Sequence, residues 1–98
     1  MQVKYKTEKL RKICTDATIA RKWYGEAMAE KIQQRIDELL ACESVEQMLQ
    51  FKIGRCHKLY DDRKGQYALD LVQPYRLIFV MLETQIQIVS VVEIVDYR

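Results

Sequence analysis

One stretch of the chain, residues 55–79, holds the side chains best suited to proton transfer and phosphate binding. His57 is the only histidine, and imidazole titrates closest to neutral pH, so His57 is the candidate for moving a proton. Cations nearby in the sequence can bind phosphate oxygens, and arginine can do so through two parallel hydrogen bonds. These cations are Arg55, Lys58, Arg63, Lys64 and Arg76. The spacing therefore predicts a basic, titratable surface on a sheet.

The residues around His57 alternate in a way that favours a β-strand, in which successive side chains face opposite sides. Arg55 and His57 are then expected on one face of the sheet. Cys56 and Lys58 are expected on the other face. The competing interpretation is that His57 is a structural side chain at a strand edge, and the sequence leaves both interpretations open.

A second feature is Arg76, which stands inside the otherwise apolar segment YRLIFV. A guanidinium in such a strand must meet a carboxylate, a ligand or solvent, because burying an unpaired charge is costly. Arg76 is therefore a candidate phosphate ligand. The alternative is a structural ion pair with Asp70 or with Asp96.

The sequence closes with Asp96, Tyr97 and Arg98, directly after the last predicted strand. From that position these residues can reach back toward His57. A tyrosine there can stack on a base or share a proton. The alternative interpretation is a frayed terminus.

The first half of the chain predicts helices that position this surface. The expected helices cover residues 8–14, 17–24, 26–42 and 45–50, after a short strand at residues 2–6. The longest of them has apolar residues at steps of three and four, which form one stripe along the helix. Asp16 is expected to cap the second helix, Gly25 to end it, and Ser44 to cap the fourth.

The second half predicts strands, because it is rich in β-branched and aromatic residues and is interrupted by the turn-like DDRKG, QP and ET. The expected strands cover residues 56–60, 66–72, 75–82 and 85–95. Short links favour antiparallel neighbours. These elements predict an α+β fold in which N-terminal helices pack on one face of a mostly antiparallel sheet, leaving the other face free to be polar.

Length and composition predict a single globular domain spanning residues 1–98, with 49% hydrophobic and 31% charged residues. The net charge is only +2. The part before Gly54 has ten basic and eight acidic residues, and the rest has six of each. Any attraction to nucleic acid must therefore come from local clusters of charge.

Cysteine usage and the polar N-terminus predict a cytoplasmic protein with no membrane partner. Cys14, Cys42 and Cys56 lack the spacing of a zinc site and are odd in number, which favours free thiols in a reducing cytosol. The opening residues lack the apolar run of a signal peptide, and no apolar stretch is long enough to span a bilayer. The phosphate-loop, dinucleotide, zinc-protease and serine-hydrolase motifs are also absent, which argues against those activities.

The order of these residues resembles the HigB-like killer proteins of the RelE/ParE toxin superfamily over nearly the whole chain. The segments that carry the resemblance are RCHKLYDDRKGQYALDL, YRLIF and the terminal IVDYR. The resemblance implies a RelE/ParE-like toxin of a type II toxin-antitoxin system. It implies a cognate helix-turn-helix antitoxin as partner, and contact with promoter DNA only through the antitoxin complex. HigB-like members cut messenger RNA in the ribosomal A site, which implies an mRNA interferase whose partners are the ribosome and mRNA, and which needs no metal or other cofactor.

The resemblance also implies roles for single residues. Carried over position by position, the family's histidine falls on His57, its turn and strand arginines on Arg63 and Arg76, and its terminal Asp-Tyr on Asp96 and Tyr97. The predicted catalytic residues are His57, Arg76 and Tyr97. The predicted substrate-binding residues are Arg55, Arg63, Lys64, Asp96 and Arg98.

Two positions depart from the family pattern. Tyr60 stands where many relatives have lysine, and Arg98 stands where they end in histidine. Tyrosine and arginine are poor general acids and bases at neutral pH. Two alternatives therefore remain open. One is a ParE-like inhibitor of DNA gyrase, which needs no catalytic histidine, and the other is a catalytically weakened toxin homologue that acts as an antitoxin-binding module.

Overall fold

The computed structural model describes residues 1–97 and packs helices against one face of a five-stranded sheet. The helices are α1 Glu8–Thr15, α2 Ala17–Tyr24, α3 Glu26–Ala41 and α4 Val45–Gln50. The strands are β1 Gln2–Tyr5, β2 His57–Lys58, β3 Gln66–Asp70, β4 Tyr75–Glu83 and β5 Ile88–Asp96. Two short 3-10 turns, Ile53–Arg55 and Asp61–Arg63, flank β2. Within residues 1–97, no helix combines the length and apolar character needed to cross a membrane.

The helices begin where the sequence predicts because polar side chains cap their first turns. The Thr7 hydroxyl accepts a hydrogen bond from the Leu10 N–H at 3.1 Å, and the Asp16 carboxylate accepts one from the Thr18 N–H at 2.9 Å. Ser44 caps α4 in the same way. Each such bond satisfies a backbone donor that has no partner inside the helix.

The core lies between the apolar stripe of α3 and the covered face of the sheet. Ile32, Ile36 and Leu39 are buried on α3, and they belong to the same hydrophobic cluster as Leu77 and Phe79 of β4. Burying one such side chain stabilises the fold by about 1.5–3 kcal/mol. The predicted stripe therefore fixes which face of the sheet the helices cover.

The strands are ordered β1-β5-β4-β3-β2, and among the strands described within residues 1–97 only the pairing of β1 with β5 is parallel. The expectation of an α+β fold with a mostly antiparallel sheet is confirmed. The strand predicted at residues 56–60 is wrong in length, because a left-handed residue stands on each side of β2: Arg55 at φ 54° and Asp61 at φ 56°. The last strand begins at Ile88 instead of residue 85, since a longer turn ends at Gln87, also at positive φ.

The uncovered face of the sheet holds the residues of interest. Directly paired residues point to the same face, and one row across the sheet reads His57, Ala68, Ile78 and Glu93. Ala68 and Ile78 are fully buried, so this face is not wholly polar as expected. The neighbouring row is Asp70, Arg76 and Val95.

Candidate active site

An open pocket of about 390 Å³ lies at the end of β2 nearest α4. Its lining residues are Leu49, Lys52, Arg55, Cys56, His57 and Arg76. Three residues named from the sequence therefore meet in one pocket: Arg55 arrives from a 3-10 turn, His57 from β2 and Arg76 from β4. Arg55 reaches the pocket from that left-handed turn, and not from the strand that alternation predicts.

The hydrogen bond made by His57 determines which ring nitrogen is basic. Its Nδ1 lies 2.8 Å from the backbone carbonyl oxygen of Arg55. A carbonyl oxygen can only accept, so Nδ1 must hold the proton and donate it. In the neutral ring, Nε2 then has the free lone pair and can accept a proton.

Asp70 pairs with both arginines of the pocket. Its carboxylate oxygens lie 3.4 Å from Nη1 of Arg55 and 3.6 Å from Nε of Arg76. The partner of Arg76 is therefore Asp70, the first of the two ion-pair alternatives. Asp96 is in register with Tyr75, one position before Arg76, and so lies on the opposite face of the sheet.

Arg35, on α3, links the helices to this pocket. Its Nε donates a 2.6 Å hydrogen bond to the backbone carbonyl of Asp70, and its Nη1 pairs with Glu38 at 2.9 Å. A Cβ atom on Gly54 would lie 2.9 Å from that Nε, so the glycine gives the guanidinium room beside the turn. No signal in the sequence marks Arg35 as part of the site, because its partner Asp70 is distant in sequence.

Arg63 is held outside the pocket by other partners. Its Nη1 donates to Glu93 at 2.8 Å and to Gln66 at 3.0 Å. The hydrogen bond to Glu93 raises the pKa of Arg63. The Tyr97 ring lies 4.8 Å from the guanidinium carbon of Arg76 and 5.8 Å from that of Arg63, so it contacts both arginines.

Lys64, also predicted from the sequence, is not brought into the pocket. Lys64 lines a separate cavity of about 320 Å³ together with Lys58, Tyr60 and Tyr67. Arg98 lies outside the described residues. Lys52 lines the pocket but was missed, because nothing in its sequence neighbourhood distinguishes it from other surface lysines.

The sequence matches no family model and no curated protein. The structure is similar to a YoeB/ParE toxin from Agrobacterium tumefaciens, with a TM-score of 0.67 over 100% of both chains and 14% sequence identity. The two chains share a fold. The RelE/ParE-like architecture expected from the sequence is confirmed at this level, and the narrower HigB-like resemblance stays a prediction.

The pocket is lined by one histidine and two arginines, side chains that together can bind a phosphate and move a proton. Burial raises the pKa of the Cys56 thiol to about 12, so this neighbour of His57 is neutral at physiological pH and is not a nucleophile. Within residues 1–97, no three His, Cys, Asp or Glu side chains are grouped so as to hold a metal ion.

Proposed function

We propose that this protein is the toxin of a type II toxin-antitoxin system, and that it cleaves messenger RNA on the ribosome as a metal-independent endoribonuclease. The observation that carries the proposal is the pocket that His57, Arg55 and Arg76 line together, in which the Nδ1 of His57 is bonded to the backbone carbonyl of Arg55. The fold shared with a YoeB/ParE toxin supports the toxin assignment, and the resemblance of the sequence to HigB-like proteins supports the nuclease.

In the proposed reaction, the ribose 2′-hydroxyl attacks the adjacent phosphorus. The new P–O2′ bond forms, the bond to the 5′ oxygen breaks, and the products are a cyclic phosphate and a 5′-hydroxyl. Nε2 of His57 accepts the 2′ proton, and the imidazolium returns a proton through solvent to the leaving oxygen. Arg76 and Arg55 stabilise the negative charge that develops on the phosphorane oxygens.

Tyr97 and Arg63 are assigned supporting roles. The Tyr97 ring lies against Arg76 and fixes the guanidinium, and it also offers a surface on which a base can stack. Arg63 keeps donors beyond those given to Glu93 and Gln66, so we assign it to the RNA backbone outside the pocket. Lys64 and Asp96, which the sequence predicts to bind substrate, are given no role in the reaction, because neither lines the pocket.

The partners follow from the same proposal. The ribosome presents the messenger RNA in the cytoplasm, and a cognate helix-turn-helix antitoxin neutralises the toxin. Promoter DNA is bound only through the complex with that antitoxin. Because cationic side chains would provide the RNA contacts, binding should weaken steeply with added salt.

Primer extension on translated transcripts after brief induction tests the proposal. The wild-type protein should produce new 5′ ends, and His57→Ala should reduce them by about 100-fold or more, since a positioned acid–base group contributes about 10²–10⁴ in rate. Gln33→Ala, an exposed change on α3, should cleave like the wild type and serves as the control.

Other outcomes distinguish the alternatives. If the wild type arrests growth without producing new 5′ ends, and folded His57→Ala still arrests growth, the nuclease is rejected. That result would favour an inhibitor of DNA gyrase, which a supercoiling assay would confirm. Absence of growth arrest, with antitoxin binding retained, would favour a catalytically weakened homologue.

A further inference from the structure

Asp70 occupies an unusual position between the two arginines of the pocket. The residue is only 8% exposed, and its two carboxylate oxygens face different guanidinium groups at 3.4 Å and 3.6 Å. Charge-assisted hydrogen bonds are usually about 2.7–2.9 Å long. Neither arginine is therefore bound closely by this carboxylate.

Two buried atoms in this group lack hydrogen bonds. Among residues 1–97, no partner satisfies Oδ1 of Asp70 or Nε of Arg76, although the two atoms face one another. Buried polar atoms without a partner are uncommon and destabilise the free protein. Arg55 is different, because its side chain is 77% exposed. The Arg76 side chain is 29% exposed although its Nε is buried, so the donors that an anion entering the pocket can use are the other guanidinium N–H groups of Arg76 and those of Arg55.

We propose that Asp70 is a positioning residue that holds Arg55 and Arg76 beside His57 and releases their donors to an incoming phosphate group. The backbone of Asp70 is fixed by Arg35, so the carboxylate stays in place while the arginines change partner. The inference rests on the proposed function only in naming a phosphodiester of RNA as the anion. Its physical basis is the pairing of one nearly buried carboxylate with two arginines.

This arrangement gives Asp70 two opposing effects. Its negative charge competes with phosphate for the arginines, which weakens binding. Its contacts also keep both arginines in the orientation needed for reaction, which increases the rate of the bound complex. Asp70→Asn should therefore tighten binding and slow cleavage. A side chain that only stabilised the fold would not move these two quantities in such opposite directions.

The binding effect can be measured with inorganic phosphate alone, by following the arginine Nε–H signals in NMR. In the wild type, phosphate should shift the Arg76 signal and leave that of Arg21 nearly unchanged, because Arg21 lies on α2 and pairs with Glu26. Asp70→Asn should bind phosphate about fivefold more tightly, because the charge that competes with phosphate for both arginines is removed. Asp37→Asn makes the same charge change on an exposed part of α3 and should alter affinity by less than about twofold.

The rate effect is measured by cleavage of ribosome-bound messenger RNA. Asp70→Asn should lower kcat by about tenfold or more and lower KM as well. Unchanged or weaker phosphate binding by Asp70→Asn, or an unchanged kcat, would overturn the proposal. If Asp70→Asn does not fold, the proposal is tested by the phosphate titration of the wild type. An Arg76 signal that does not shift with phosphate would also overturn the proposal. If the wild type does not cleave RNA but both phosphate results hold, the nuclease assignment fails while the role of Asp70 in anion binding stands.

Discussion

The helical layer, residues 8–50, and the site segment, residues 52–65, differ in how their backbone is held. In the helical layer, side chains of Thr7, Asp16 and Ser44 cap three of the four helices with ordinary hydrogen bonds. In the site segment, the backbone repeatedly takes left-handed conformations. The left-handed residues there are Lys52, Gly54, Arg55, Asp61 and Gly65.

This contrast shows that the strained backbone of the molecule is concentrated in the site segment. A left-handed residue other than glycine costs about 1–2 kcal/mol, so such residues persist only where the surrounding structure holds them. Here Arg35 lies against Gly54, and Cys56 is buried beneath the pocket. The helical layer thus fixes a segment that would not keep this shape alone, and that segment places His57 and Arg55 in the pocket.

The loss of stability at alkaline pH is the largest expected effect, and it tests whether the site segment is held as firmly as the helical layer. Burial raises the pKa of Cys14 in the helical layer, and of Cys56 in the site segment, to about 12. An unfolded thiol ionises near pH 9, so above that pH the unfolded chain loses a proton that the folded chain retains. Stability from each thiol is complete below pH 9 and falls as pH rises toward 12.

For Cys14, the fall should be roughly 1 kcal/mol for each pH unit above pH 9. Urea unfolding between about pH 8 and about pH 11 measures it, and Cys14→Ala should show a shallower slope. Cys56→Ala should also reduce the slope if the site segment is held as firmly as the helices. A slope unaffected by Cys56→Ala would show that the site segment opens and exposes the thiol.

The next effect concerns the caps. Asp16→Ala should lower the free energy of unfolding by about 1 kcal/mol, because the first turn of α2 loses the acceptor for the Thr18 N–H. Asp16→Asn is the matched control and should lose much less, since asparagine caps about as well as aspartate. RNA cleavage should be the same in both variants. Reduced cleavage by Asp16→Ala would show that a cap in the helical layer affects the pocket, and would contradict the expectation that the two regions can be changed independently.

The same difference explains what the sequence could predict. The helices were predicted to within one residue at each end, because caps and apolar stripes are local signals. The strand at residues 56–60 was overestimated, since left-handed residues such as Arg55 leave no mark in the sequence. His57 and Arg55 are close in sequence, and antiparallel pairing of the strands brings Arg76 near them. The grouping of these three residues could therefore be predicted from the sequence.

Partners from distant parts of the chain were not predictable. The pairing of Arg63 with Glu93 joins residues 30 positions apart, and the contact of Arg35 with the Asp70 carbonyl joins residues 35 positions apart. Both depend on how the elements pack and not on any local pattern. The first of them holds Arg63 outside the pocket that Arg55 and Arg76 line, which its nearness to His57 in the sequence does not reveal.

Introducing glycine into each region should give the sharpest contrast between them, and the smallest effect on stability is expected at Arg55. Glu30→Gly, on the exposed side of α3, should lower stability by about 1 kcal/mol. Arg55→Gly should change it by less than about 0.5 kcal/mol, because relief of the left-handed backbone offsets the entropy of glycine and the lost contact with Asp70.

Activity should respond in the opposite order. Arg55→Gly should reduce RNA cleavage by about tenfold, whereas Glu30→Gly should leave it unchanged in folded protein. Chemical unfolding and a cleavage assay on the same samples measure both quantities. If Arg55→Gly cost as much stability as Glu30→Gly, residue 55 would be under no conformational strain. The left-handed conformation of residue 55 would then cost no stability. The idea that the site segment is strained in order to place Arg55 beside His57 would be wrong.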